Sequence, residues 1–233
     1  MAPPAILFVF SEPGSNVTEE EFHDWYDNEH IPLLVDISAF RSWTRWAAVD
    51  GTKPAYGAAY DLESYDVMQQ PSYKALVETR SEREKDILKR IQVVDWRIYE
   101  LHGGPTTPPS ALFDPAKPAS YAAFVFITTK PEFEEEFNKW YDEEHIPLLA
   151  KVRGWIRSRR FRLKDWGHMG VEVTKEPPKY FAVHEWATLD GTRSEEYRAA
   201  LESPWTKRME ETFLARDVRV MSLLKTWDRP SLL

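Results

Sequence analysis

Trp-Tyr-Asp-x-Glu-His-Ile-Pro-Leu-Leu occurs twice in 233 residues, at 25–34 and again at 140–149. The Glu-His step is the part that can do chemistry. Histidine titrates near neutrality, at about 6.5 when unperturbed. A carboxylate beside it can hold the ring and strengthen it as a base. Glu29 with His30, and Glu144 with His145, therefore make two candidate acid/base pairs for moving one proton of a bound organic molecule. The same groups can instead bond backbone at a helix kink, or arginines of a neighbouring strand, and that structural role stays open.

The helix carrying these pairs sets where they point. On a wheel of about 100° per residue, Trp25, Tyr26, Glu29 and Leu33 fall on one side with Phe22. Glu29 then lies in the middle of the apolar face, His30 lies at its edge, and Asp27 and Asn28 point away. Phe137, Trp140, Tyr141, Glu144, His145 and Leu148 repeat the pattern. A glutamate on an apolar face is costly unless paired. Pro32 and Pro147 remove a backbone N–H and crowd the preceding turn, so a kink or stop is expected just after each histidine.

The repeat extends beyond the motif. Glu21–Leu34 and Glu136–Leu149 share eleven of fourteen positions, and further matching pieces follow in the same order. The expected organisation is a first repeat at 1–102, a Pro/Gly-rich linker at 103–119 (GGPTTPPSALFDPAKPA) and a second repeat at 120–233. Each half reads β-α-β-β-α-β. Apolar strand-length runs open the halves (Ala5–Phe10, Tyr121–Thr128), and the motif helix follows. Two strands come next (Phe40–Val49 and Ala55–Leu62; Trp155–Lys164 and Tyr180–Leu189). A long second helix (about Pro71–Arg90; Ser194–Phe213) and a last strand (Val93–Leu101; Asp217–Leu224) complete each half. The expected class is α+β: two ferredoxin-like repeats whose bare sheet faces cover each other, an intramolecular, pseudo-dimeric α/β barrel.

Three further features bear on a site. His184 on YFAVHEW shares a strand face with Ala182 and Trp186; if that face meets the helices, His184 joins His145 in one pocket. KVRGWIRSRRFRLK (151–164) holds seven basic residues and no acid. Alternation puts Arg157 and Arg159 with Trp155 and Phe161, and Arg160 and Arg162 opposite. One arginine, Arg159 above all, can clamp a substrate carboxylate or enolate; ion-paired surface is the plainer role for the run. Arg97 and Arg219, repeated on the last strand, are expected to pair with Glu29 and Glu144. The second half also carries extra residues at 165–178, which either lid a pocket or decorate the surface.

A formal net charge of −8 argues against nucleic acid or an anionic membrane as partner. Without cysteine there is no disulfide, thiol nucleophile or thiolate metal site. No Gly-rich phosphate loop or nucleophile elbow is present, and the histidines are not spaced for zinc. No metal is therefore expected. The N-terminus lacks the features of a signal peptide, which leads to an expected cytoplasmic location.

The run F-x-x-W-Y-D-x-E-H-I-P-L-L followed by Gly154–Phe161 (GWIRSRRF) resembles the EthD-like family, whose tandem versions have a dimeric α/β-barrel, ferredoxin-like fold. The first half departs from it at Ala39, where the second has Gly154. The resemblance implies a cofactor-independent enzyme of polyketide or aromatic secondary metabolism. Such relatives cyclise, dehydrate, decarboxylate, isomerise or oxygenate. It also implies a cavity between helices and sheet, faced by the motif histidine, here His145 or His30. Tyr141 or Tyr26 would donate a hydrogen bond, and Trp140, Trp25, Trp186, Trp155, His184 and Arg159 would line the substrate. The second half, with His184 and the insertion, is favoured, so His145 is the expected acid/base group. The expected partner is a small aromatic or polyketide-like molecule, and the chain is expected to be a monomer with an internal pseudo-dimer, or a homodimer. Two alternatives stand beside this: a pocket that templates a pericyclic or spontaneous cyclisation without a titrating residue, and haem held by one axial histidine, as in other members of the superfamily.

Overall fold

The structure, a computed structural model, describes residues 2–103 and 107–228. It contains two compact units. Among the described residues, unit 1 comprises 2–101, 163–177 and 224–228, and unit 2 comprises 102–103, 107–162 and 178–223. Residues 104–106 of the expected linker lie outside the described residues. The rest of it, 107–119, forms neither helix nor strand.

In unit 1, β1 (Ala5–Glu12) is followed by α1 (Glu19–Trp25), α2 (Ile31–Val35), β2 (Trp43–Ala48), β3 (Tyr56–Leu62), α3 (Pro71–Glu78), α4 (Glu82–Arg90) and β4 (Val93–Leu101). The strands are antiparallel in the order β4-β1-β3-β2, with Leu7 opposite both Tyr60 and Ile98. Unit 2 repeats the order. β5 (Tyr121–Thr129), α5 (Glu134–Trp140), α6 (Ile146–Leu149), β6 (Trp155–Met169, of which 155–162 belong to this unit), β7 (Tyr180–Trp186), α7 (Glu195–Glu202), α8 (Pro204–Glu210) and β8 (Phe213–Trp227, of which 213–223 belong to it) give a sheet β8-β5-β7-β6, with Ala123 opposite His184 and Val220. The class is α+β. No helix among the described residues is long and apolar enough to cross a membrane.

The motif helix departs from a uniform wheel. Between α1 and α2, Tyr26–His30 form a π-helical turn, and Tyr141–His145 do so between α5 and α6. The N–H of Ile31 bonds the carbonyl of Tyr26, five residues back, as Ile146 does to Tyr141. Proline explains the widening. Pro32 and Pro147 cannot donate and would crowd the carbonyl four residues earlier, and one extra residue in the turn relieves both problems. The helix is thus re-phased before the proline instead of being stopped after the histidine. His30 swings onto the side of Trp25 and Tyr26, with ring centroids at 5.1 and 5.2 Å; His145 lies 4.5 and 5.3 Å from Trp140 and Tyr141.

The long second helix of each half is also broken. Ser81 caps α4 by accepting the N–H of Glu84 at 3.0 Å, and Ser203 caps α8 by accepting that of Thr206 at 3.0 Å, ahead of Pro204. A capping serine ends one helix and starts another at that point.

Residues 165–169 of the insertion extend β6 rather than looping out. After Gly170, whose φ is +97°, Val171 and Glu172 donate to the carbonyls of Ile91 and Gln92 at 2.9 and 3.0 Å.

Gly154, in the motif-flanking segment, has φ +89°, and a Cβ there would sit 2.9 Å from the carbonyl oxygen of Thr188. Among the described residues no non-glycine residue has a positive φ. Gly154→Ala is therefore expected to destabilise the protein by about 2–4 kcal/mol, lowering the melting temperature by roughly 5–10 °C in calorimetry. An unchanged melting temperature would show that the turn relaxes.

Candidate active site

Each unit holds a cavity between its helices and one face of its sheet. In unit 1 that face carries Leu7 and Val9 of β1, Tyr60 of β3, and Val94, Trp96 and Ile98 of β4, alternate residues in each strand. The helices contribute Trp25, Tyr26, His30 and Leu34, with Tyr73 and Leu76 of α3 opposite. The volume is about 380 Å³, within the range of small-molecule sites. Exposed Leu33 and Val77 line its rim.

The polar wall of unit 1 is a histidine–carboxylate pair. His30 Nδ1 lies 3.1 Å from Glu84 Oε1. The Glu84 side chain is 4% exposed and His30 28%, so the carboxylate is the sequestered partner and the imidazole faces outward from it. Arg80 approaches the same carboxylate at 3.6 Å and balances its charge. With Nδ1–H donated to Glu84, His30 Nε2 keeps its lone pair, and the carboxylate stabilises the imidazolium formed when Nε2 takes a proton. Burial holds the Tyr26, Tyr60 and Tyr73 phenols above their ordinary pKa, Tyr60 well above it with the Tyr26 ring adding to the effect. All three remain O–H groups at neutral pH. Asp165 and Met169, from the insertion, also line this cavity, and Tyr65 donates to Asp165 at 2.8 Å.

Unit 2 has the same plan and different chemistry. Its cavity, about 450 Å³, is lined by Ala123, Val125 and Ile127 of β5, His184 and Trp186 of β7, Val218 and Val220 of β8, and Trp140, Tyr141 and His145 of the motif. His184 and His145 do come together, their rings 5.9 Å apart, and Tyr141 stacks at 6.3 Å from His184. Among the described residues no carboxylate bonds either ring. Glu84 stands three residues after the capping Ser81, and the residue three after Ser203 is Thr206. The Nδ1–H of His145 donates to the carbonyl of Ala200 at 3.2 Å instead. Burial is the main reason that His145 is pushed down to about 4 and His184 to about 3. Both imidazoles are neutral near pH 7 and are weak bases.

The predicted site residues divide accordingly. His30, Trp25 and Tyr26 line the first cavity; His145, Trp140, Tyr141, His184 and Trp186 line the second. Glu29 and Glu144 face away from both. Glu29 accepts from the capping Ser81 hydroxyl and lies 3.5 Å from Arg83, and Glu144 accepts from the capping Ser203. The π turn rotates them off the apolar face, so each glutamate fastens the motif helix to the helix start beside it.

Trp155 and Arg159 line neither of these two cavities. The ladder shifts register between Trp155 and Arg157, which brings Trp155 onto one face with Ser158 and Arg160. Trp155 donates to Ser158 Oγ at 3.0 Å, while Arg157 and Arg159 pair with Glu185 at 2.7 and 3.1 Å. Arg97 and Arg219 pair with Asp95 and Asp217 rather than with the motif glutamates.

Sequence reasoning missed Glu84. It sits in the charged run SEREKDILKR, yet Glu84, Ile87, Leu88 and Ile91 recur at helical spacing, the mark of a carboxylate on an apolar face. Also missed was the guanidinium behind each motif tyrosine. Arg45 lies 4.5 Å over the Tyr26 ring and pairs with Asp27; Arg160 lies 4.4 Å over Tyr141 and pairs with Asp142.

No family model matches the sequence, and no curated protein does. Solved structures do. An anthrone oxidase-like protein is 12% identical, with TM-score 0.61 over 100% of this chain and 96% of its own. A protein of Fusobacterium nucleatum subsp. nucleatum described as a candidate monooxygenase is 9% identical, with TM-score 0.58 over 99% of this chain and 97% of its own. A mutant chlorite dismutase from Candidatus Nitrospira defluvii, in complex with cyanide, is 14% identical, with TM-score 0.57 over 95% and 91%. The chain shares their fold along almost its whole length.

Proposed function

We propose that this chain is an enzyme that removes or relocates a proton of an aromatic or polyketide-like small molecule bound in the unit 1 cavity, with His30 as acid/base group. One observation carries the reading: the cavity-lining imidazole has its Nδ1 held by the buried Glu84 carboxylate. His30 Nε2 takes the acidic proton, Glu84 orients the ring and stabilises the imidazolium, and the phenolic O–H groups in the wall offer donors to the developing enolate or phenolate. Trp25, Tyr73 and Trp96 supply flat apolar surface for an aromatic ligand. His30, not His145, takes the leading role, because its Nδ1 is held by a carboxylate while burial has pushed His145 down to about 4, too weak a base at neutral pH.

Loss of such a proton opens dehydration, decarboxylation, cyclisation, isomerisation or direct reaction of an electron-rich anion with oxygen. The fold relatives described as anthrone oxidase-like and monooxygenase favour the last of these. The duplicated motif and the β4-β1-β3-β2 sheet support reading each half as a ferredoxin-like unit of EthD-like type.

The test follows the proton itself. Anthrone and related enolisable aryl ketones are incubated with the protein in D2O, and deuterium entering the acidic carbon is followed by NMR. Catalysed exchange is expected; its absence across the panel would overturn the proton-transfer reading. An exchange rate flat from roughly pH 5 to 9 would point to a templating pocket instead. A second reading, haem bound through His30, rests on the same contact, since imidazoles that ligate a metal commonly carry a carboxylate on the other nitrogen. Bound haem would supply oxygen and one-electron chemistry, and the visible spectrum after haem is added distinguishes the two.

A further inference from the structure

The unit 2 cavity is not a spare copy of the first, because its polar wall has been rebuilt. His184 stands on β7 where Tyr60 stands on β3, and Thr206 stands where Glu84 does. A hydrogen-bond chain then fixes what the wall presents. Trp155 Nε1–H donates to Ser158 Oγ at 3.0 Å, and Ser158 Oγ lies 2.8 Å from His184 Nδ1. The serine satisfies every group by accepting from the indole and donating its own hydrogen to Nδ1. That assignment puts the His184 proton on Nε2. His184 is 3% exposed, and its Nε2 has no partner. An unmet donor of this kind is expensive to bury.

Beside it, His145 spends its Nδ1–H on the carbonyl of Ala200 and so keeps an acceptor at Nε2. The two imidazoles therefore offer one donor and one acceptor, from rings 5.9 Å apart, with no charge on either near pH 7. The charged residues in the lining, Glu210 and Arg216, pair with each other at 3.0 Å and are largely exposed. Trp140, Trp186 and Phe213 supply flat apolar surface, and Tyr141 and Tyr197 add aromatic rings whose phenol O–H groups stay protonated at neutral pH.

We infer that the unit 2 cavity is a second binding site, one that holds an uncharged phenol-type aromatic molecule without exchanging a proton with it. A hydroxyl is the smallest group that meets both imidazoles, accepting from His184 Nε2–H and donating to His145 Nε2. The aromatic walls take the ring. A carboxylate fits less well, because the lining cation, Arg216, is already paired with Glu210 and the neutral imidazoles do not balance a buried charge.

Two probes of one shape but different charge test this: 2-naphthol and naphthalene-2-carboxylate, titrated by calorimetry at pH 7 with imidazole protons followed by NMR. Wild-type protein is expected to bind 2-naphthol at a site whose occupancy shifts the His184 Nε2–H resonance, identified by its loss in His184→Gln, while the carboxylate leaves that resonance in place. His184→Phe is expected to weaken this site at least ten-fold and to leave deuterium exchange unchanged. Ser158→Ala, a milder change that frees the His184 tautomer, is expected to weaken it by a smaller factor. An unmoved resonance, equal binding of the carboxylate, or full affinity in both variants would overturn the inference. The readout is independent of the unit 1 reading: loss of exchange in wild type leaves it standing, and loss of naphthol binding leaves His30 standing.

Discussion

His30→Gln is expected to cut deuterium incorporation into a bound carbon acid by 10²- to 10⁴-fold, with circular dichroism and melting temperature close to wild type. That range is what a positioned acid/base group ordinarily contributes, and corresponds to about 3–5 kcal/mol of barrier. Glutamine keeps the polarity at the cavity wall and can still reach Glu84, but has no lone pair basic enough to accept the proton. Glu84→Gln is expected to cost less, roughly 10- to 100-fold, because it leaves the base in place and removes only the group that fixes its tautomer and steadies the imidazolium. The control is His145→Gln. It is expected to leave exchange unchanged, since the His145 lone pair belongs to a ring whose pKa burial has lowered to about 4. The opposite pattern, with exchange surviving in His30→Gln and lost in His145→Gln, would move the catalytic assignment to unit 2.

Acidification is expected to destabilise the protein through the buried histidines of unit 2, starting from about pH 6.5 and so ahead of the carboxylate range. His145 and His184 have folded pKa values of about 4 and about 3, both below the usual 6.5, chiefly because burial disfavours the imidazolium. His145 and Arg160 add to the effect on His184. The folded state therefore binds fewer protons than the unfolded state once the pH falls below about 6.5. The stabilisation is whole above that pH, declines as the pH drops towards 3–4, and is then spent. His145 carries roughly 3 kcal/mol and His184 roughly 5 kcal/mol, each across its window, a large part of the 5–15 kcal/mol typical of a folded domain.

Burial lowers His23 and His102 in the same sense, so the informative quantity is a difference between proteins. Urea unfolding between about pH 7.5 and 4.5 is expected to lose stability less steeply for His184→Gln than for wild type, by up to one proton's worth of slope. Parallel curves would mean that His184 already takes up a proton in the folded state.

Much of this architecture can be read from the chain. The duplication is visible because two decapeptides that differ at one position sit in the same place in two matching series of apolar runs. The period of those runs separates strand from helix, and the order β-α-β-β-α-β follows. Ala182, His184 and Trp186 share a face because strands alternate, and this brings His184 to His145 as expected. Reading by fixed period failed where the period changes. The π turn at Tyr26–His30 exchanges the places of Glu29 and His30 relative to a 3.6-residue wheel. A register shift in β6 likewise moves Trp155 away from Arg157 and Arg159. Prolines signal the first irregularity without giving its form, and the second has no signal in the residue types.

Sequence alone determined the repeat, the class of each element and the presence of a histidine on each motif helix, because these depend on local spacing and side-chain type. Tertiary structure decided what each histidine is. His30 acquires a carboxylate from a helix 54 residues away, while His145, in an almost identical decapeptide, meets a backbone carbonyl and a second imidazole. The difference lies in Glu84 against Thr206 and Tyr60 against His184, residues far from the motif in the chain. Basicity is set by neighbours in space and by the water they exclude, and neither is written in the decapeptide that the halves share but for one residue.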